Sequence, residues 1–168
     1  MKIDVEWTDL GLEALVEKVT DAGRLSVACG VVGGAENTVV DEAGTTLGDV
    51  ALFNQFGTRD IPARPFLDAP IREPGKVLEE FANAARLIVG GASNVAALNR
   101  VGEFGKAEIV KAIDSAQPAN APSTIRKKGA DSPLRDTYQL RSSISYEVVR
   151  GGVEDEFSSF DISVGEGE

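Results

Sequence analysis

Residues 53–67 read FNQFGTRDIPARPFL, and this stretch constrains the fold more than any other part of the chain. It is too apolar for an idle linker, and its glycine and two prolines exclude a single regular element. Gly57 permits a reversal after a short helix, while Pro62 and Pro65 reduce the entropy lost on fixing an extended segment. Phe66 follows as an apolar anchor. We therefore expect the backbone of this stretch to be held in one shape.

The composition predicts one globular domain, spanning residues 1–168, with a real hydrophobic core. Hydrophobic residues make up 42% of the 168 residues, and 27 acidic against 17 basic side chains give a net charge of -10. That charge repels nucleic acid at long range. The chain contains no histidine, and its single cysteine, Cys29, lies in an apolar run typical of a buried core position. No apolar leader or membrane-length stretch is present, which indicates a cytosolic protein.

Hydrophobic periodicity predicts an α+β fold: a mainly antiparallel sheet of about four strands packed against two longer helices. Shorter helices are expected after residue 11 and before Gly57, the latter capped by Thr46. Ser93 is a candidate cap for the second long helix. The strands are expected near residues 2–7, 24–32, 143–150 and 159–164, and the long helices near 76–89 and 94–115.

Three segments lack sustained periodicity. Residues 33–46, rich in Gly, Asn and Asp, indicate a mobile loop or the tip of a hairpin. Residues 116–137 are predicted to form an extended irregular arm. A stretch of that length without regular structure usually serves an interaction. Residues 122–150 hold six basic and three acidic groups, whereas residues 151–168 hold six acids and no base. The acidic C-terminal tail at 165–168 is expected to fray.

The second long helix carries two glycines, Gly102 and Gly105, on its apolar stripe. Each costs roughly 1 kcal/mol relative to alanine in a helix interior. We expect them to admit a close neighbour, with a merely tolerated helix defect as the alternative.

No catalytic or phosphate-binding motif and no Cys/His zinc spacing is found, so neither a cofactor nor a bound metal is expected. Asp131, Asp136 and the acidic run 154–156 could hold a hard cation such as calcium. They do not match a calcium loop, and a solvated acidic face is the favoured interpretation. A metal-dependent hydrolase built on these acids remains the enzymatic alternative.

Two separated stretches resemble one family. VALFNQFGTRDIPARPFLDAPI and NAPSTIRKKGADSPLRDTYQLRSSISYEVV are similar to motifs of bacteriophage tail-completion and neck proteins, the virion-morphogenesis and minor tail protein Z types. The resemblance covers about residues 48–150. Tyr138 departs from the pattern, which has glycine after Asp-Thr, and a turn that needs positive φ within residues 136–139 would be strained by tyrosine. The first 45 residues match no motif of the family.

The resemblance implies a non-enzymatic virion protein of the head-to-tail connector. It implies a hexameric ring that contacts other neck, connector and tail-tube proteins and surrounds exiting DNA without binding it tightly. Its location would be the virion, with the host cytoplasm during assembly. An acidic phage-encoded inhibitor or DNA mimic, acting as a soluble monomer, is the alternative that the net charge also explains.

The expected subunit contacts lie in 53–67 and in the arm, with Arg64 and Phe66 as anchors. The basic run would face acidic surface on a neighbour. In the alternative, 53–67 is only an internal loop that crosses the core of its own subunit. The predicted interface residues are Asn54, Phe56, Gly57, Thr58, Pro62, Ala63, Arg64, Pro65, Phe66, Leu67, Ile125, Arg126, Lys127 and Lys128.

Overall fold

The computed structural model describes residues 11–115 and 139–151. Within these ranges the chain is mostly helical, and no helix is both long and apolar enough to cross a membrane. Short 3-10 turns lie at Ala35–Asn37 and Ala69–Ile71. The elements in chain order are α1 (Leu12–Ala22), β1 (Leu25–Val31), α2 (Leu47–Phe56), α3 (Pro74–Val89), α4 (Asn94–Asp114), α5 (Gln139–Ser143) and β2 (Ile144–Arg150).

The prediction of a mainly antiparallel, four-stranded sheet with two helices is wrong. The described residues form five α-helices and one sheet of two antiparallel strands. The prediction underweighted the three shorter helices. Packing within the domain stabilises short helices that would be marginal in isolation, and α2 in addition has a capping box. The other two expected strands, near 2–7 and 159–164, lie outside the described residues.

Local sequence signals place the helix ends where they were expected. The Thr46 hydroxyl accepts a hydrogen bond from the Asp49 amide at 3.1 Å, and the Asp49 carboxylate accepts one from the Thr46 amide at 2.9 Å. This reciprocal capping box satisfies two amides at the start of α2. Hydrogen bonds that the Thr46 amide and the Thr46 hydroxyl donate to the Asp49 carboxylate hold the pKa of Asp49 below its usual value. Ser93 caps α4 through a 3.2 Å bond from the Ala96 amide.

Helix α4 packs across one face of the two-stranded sheet, where β1 and β2 pair from Leu25 with Arg150 to Val31 with Ile144. The two glycines of α4 allow the helix to approach the sheet closely. A Cβ on Gly102 would lie 2.1 Å from the Tyr146 ring, and one on Gly105 would lie 2.5 Å from Cys29 Sγ. The expectation of a close neighbour at both glycines is confirmed. Cys29 is half-buried there, and burial raises the pKa of its thiol.

Two clusters of buried side chains form the core. The first cluster joins α2, the segment after it, the C-terminal half of α4, α5 and the start of β2. It contains Leu47, Ala51, Phe66, Ile109, Ile113, Leu140 and Ile144. The second cluster joins α3 to the N-terminal half of α4. Helices α2 and α3 are therefore anchored in different clusters.

The segment 33–46 contains a hydrogen-bonded turn, consistent with the hairpin-tip interpretation. Val39 and Thr46 form a β-bridge, and the Asp41 carboxylate accepts bonds from the Ala43 and Thr45 amides at 3.0 and 2.9 Å. The arm at 116–137, Tyr138 and the acidic tail lie outside the described residues.

Candidate functional site

The chain reverses direction immediately after α2, at Gly57. Its backbone has φ 76° and ψ 169°, a conformation that is essentially restricted to glycine. A Cβ here would lie 2.8 Å from the Ala63 amide nitrogen and 3.0 Å from the Ile61 carbonyl oxygen. The Thr58 amide then donates to the Ile61 carbonyl at 2.8 Å and closes the turn. The predicted reversal at Gly57 is confirmed.

After the turn the chain runs back along α2 and is bonded to it at three amides. The Arg64 amide donates to the Asn54 carbonyl at 2.6 Å. The Gln55 side-chain oxygen accepts bonds from the amides of both Phe66 and Leu67, at 2.8 and 2.9 Å. One glutamine therefore substitutes for a partner strand, because it satisfies two consecutive backbone donors. Sequence reasoning missed this role of Gln55.

An ion pair fixes the far end of the segment. Arg72 donates to both carboxylate oxygens of Asp68, at 2.8 and 3.2 Å, and also to the Pro65 carbonyl at 2.6 Å. Hydrogen bonding from Arg72 holds the pKa of Asp68 below its usual value. The side chains of Arg72 and Asp68 are 46% and 41% exposed, so the ion pair adds little to the free energy of folding. Its main effect is to hold this end of the segment in place.

The two predicted anchors lie inside their own subunit. Phe66 is 0% exposed and belongs to the first core cluster, and Arg64 is 7% exposed. In this conformation neither side chain is accessible to a second subunit. For the C-terminal half of 53–67, the structure therefore agrees with the alternative of an internal loop that crosses the core. Leu67 is half-buried beside the same cluster, whereas Thr58, Pro62, Ala63 and Pro65 are exposed.

Helix α2 is apolar on both sides, but only one side is buried. Leu47 and Ala51 face the core, whereas Leu52, Phe53 and Phe56 are 51%, 42% and 75% exposed. We call these three residues the α2 patch. A helix that is hydrophobic all round is normally buried all round. The α2 patch is therefore the part of the 53–67 region, together with its neighbour Leu52, that is available to a partner.

Helix α3 presents a second exposed apolar surface. Leu78, Phe81 and Val89 are 65%, 45% and 61% exposed, while Ala84 and Ile88 face inward. Ala82 and Ala85 are also exposed on this side. We call Leu78, Phe81, Ala82, Ala85 and Val89 the α3 flank. The apolar stripe of α3 is wider than one packing partner needs. That width is the feature of the sequence from which a second, exposed apolar surface could have been predicted.

The described residues assemble no evident catalytic or metal-binding centre. An open depression of about 410 Å³ lies beside Leu52, but Thr46 and Asp49, which line it, are engaged in the capping box. Within the described ranges, no three His, Cys, Asp or Glu side chains converge as a metal site would require. Ile125, Arg126, Lys127 and Lys128 lie outside these ranges. Comparison with protein-family models, curated proteins and solved structures gave no match.

Proposed function

We propose that this chain is a structural protein of a bacteriophage head-to-tail connector, of the neck or tail-completion kind, that assembles as a ring joining tail to capsid. The resemblance of residues 48–150 to that family is the first support. The observation that carries the proposal is the α2 patch, an exposed apolar surface whose three residues lie within the first stretch that resembles the family. Exposed apolar groups of this kind mark sites of protein association.

The motif residues support this function by making the surface rigid. Gly57 reverses the chain, Gln55 ties the returning segment to α2, and Phe66 locks that segment into the core. The α2 patch is thereby presented on a helix that is held from its other side. A preorganised surface loses less entropy on association than a loop that must first be ordered. In this proposal the part of the motif that follows α2 is conformational support, and the part of the motif on α2 makes the contact.

The proposed ring surrounds the path of the genome, and a net charge of -10 suits that location. Phosphates that pair with Lys and Arg release counterions and bind tightly, whereas an acidic wall repels them. DNA can therefore pass without being held. The arm, with its basic run, is proposed as a further contact to acidic surface of a neighbouring subunit or connector protein.

The experiment is deletion and complementation in the phage that carries the gene. Deletion is expected to give filled capsids and separate tails, seen by electron microscopy, with loss of infectious particles. The wild-type gene should restore joined particles, whereas Phe56→Glu should not, because a charge at the centre of an apolar contact remains unpaired. Val39→Glu is the matched control, since Val39 is 60% exposed and lies outside the proposed surface.

Normal tailed, infectious particles without the gene would refute the function. In that case a soluble, monomeric product that is absent from virions would favour the acidic inhibitor. Purified Phe56→Glu protein must unfold in urea at the wild-type midpoint, which separates loss of contact from loss of fold.

A further inference from the structure

The α2 patch and the α3 flank are two distinct apolar surfaces of one subunit. Helix α2 is anchored by Leu47 and Ala51 in the first core cluster, and α3 by Ala84 and Ile88 in the second. Helix α2 packs against β1, α5 and the 3-10 turn at Ala35–Asn37, whereas α3 packs along α4 and against α1. Each surface falls in the size range of the largest apolar patches on soluble proteins, which are often functional. Each is built on a separate part of the fold.

The two surfaces differ in the size and spacing of their side chains in a way that suits packing of one against the other. On α3, the side chains of Leu78, Phe81, Ala82 and Ala85 follow the i, i+3, i+4, i+7 spacing that encloses a hole on a helix surface. Its two alanines make that hole deep. On α2, Phe53 and Phe56 project as large knobs, and Phe56 is the most exposed large apolar residue among those described. Knobs of this size fill a hole floored by alanine, as ridges of one helix pack into grooves of another.

The areas also agree with a stable contact. A fully exposed phenylalanine offers about 150–250 Å², so the α2 patch amounts to about 300 Å² and the α3 flank to about 400 Å². Together they supply about 700 Å² of apolar area. Stable specific interfaces bury about 1,200–2,000 Å² in total, of which somewhat more than half is apolar, so about 700 Å² matches the apolar share at the lower end of that range.

We propose that the α2 patch of one copy packs into the α3 flank of the next copy, an inference that rests on the proposed ring. The contact is head to tail: each subunit uses two different surfaces, and one repeated contact buries both. A symmetric pairing of α3 with α3 would bring two alanine-floored holes together and leave the phenylalanines of α2 exposed. The partner of the α2 patch is therefore a second copy of this chain.

Disulfide trapping tests the contact without removing its large aromatic knobs. Two full-length variants, Leu52→Cys and Ala82→Cys, are each made with Cys29→Ala, mixed in equal amounts at high concentration and oxidised with diamide. Intact-mass spectrometry then separates the heterodimer from the two homodimers. If the two variants collide at random, the amount of heterodimer equals the amounts of the two homodimers added together. The proposal predicts an excess of about tenfold or more over both, which corresponds to a preference of at least about 1.4 kcal/mol.

The matched control pairs Leu52→Cys with Val39→Cys, a position that is equally exposed but outside both surfaces, and it should give the random distribution. A random distribution from the Ala82→Cys mixture, or a majority of Ala82→Cys homodimers, would overturn the proposal. These results leave the proposed function intact if the protein is present in virions. Absence from virions together with a heterodimer excess would instead refute the connector function while supporting the contact.

Discussion

Replacing Gly57 by alanine tests whether the turn after α2 holds the candidate site together. The substitution adds one methyl group at a position with φ 76° and ψ 169°. A residue other than glycine in this region costs about 1–3 kcal/mol. The new Cβ would also lie 2.8 Å from the Ala63 nitrogen and 3.0 Å from the Ile61 oxygen, and both are backbone atoms that cannot rotate away. The two effects together predict a loss of about 3 kcal/mol or more.

The assay is equilibrium unfolding in urea, followed by circular dichroism. With an m-value of about 2 kcal/mol per molar urea, a loss of about 3 kcal/mol lowers the midpoint by about 1.5 M. Gly91→Ala is the control, because Gly91 has φ 103° but no atom within 4 Å of the added Cβ. Gly91→Ala should lose only the free energy that it costs to hold a non-glycine residue at positive φ, about 1–2 kcal/mol. If Gly57→Ala costs no more than Gly91→Ala, the backbone contact at the turn is not what requires glycine.

Three further predictions follow from other contacts. Gly105→Ala should lower the free energy of unfolding by about 1–3 kcal/mol, because the added methyl group overpacks against Cys29. In a Cys29→Ala background the loss should be much smaller, and a double-mutant cycle in urea that finds equal losses would contradict the contact. Because Arg72 lowers the pKa of Asp68 in the folded state, the stability from this pair is present above the usual aspartate pKa of 3.8 and is lost as the pH falls below it. Asp68→Asn should therefore be slightly less stable than wild type at pH 7, and that difference should vanish on acid titration; a difference that persists at low pH would refute the ion-pair explanation. The free protein should not bind duplex DNA tightly, and a sub-micromolar Kd at physiological salt would contradict an acidic channel wall.

The sequence predicted the local features that a few residues determine. Thr46 and Ser93 cap helices because their hydroxyls reach a backbone amide two or three residues on, and Gly57 ends α2 because only glycine adopts that geometry. The close approach at Gly102 and Gly105 was also predictable, since glycine on an apolar helix stripe is costly without a close neighbour. Signals of this kind depend on short-range chemistry.

The features that were missed depend on distant parts of the chain. Strand alternation over six residues cannot show whether a partner strand exists, so the sheet was overestimated. The roles of Gln55 and Phe66 follow from the path of the returning chain, which sets what faces α2 and what enters the core. Leu78 and Phe81 fit the helical period of core residues, yet they are exposed because the described helices that pack on α3, α1 and α4, lie on its other side.

The proposed connector function is tested most directly by quantitative mass spectrometry of purified, tailed virions of the phage proposed to encode the chain. If the chain is part of the head-to-tail connector, its peptides should be recovered from intact particles at a low copy number, as one ring requires. Capsids and tails separated from each other should contain the protein in at most one of the two fractions before they join. Intact, infectious virions that lack these peptides would contradict the account.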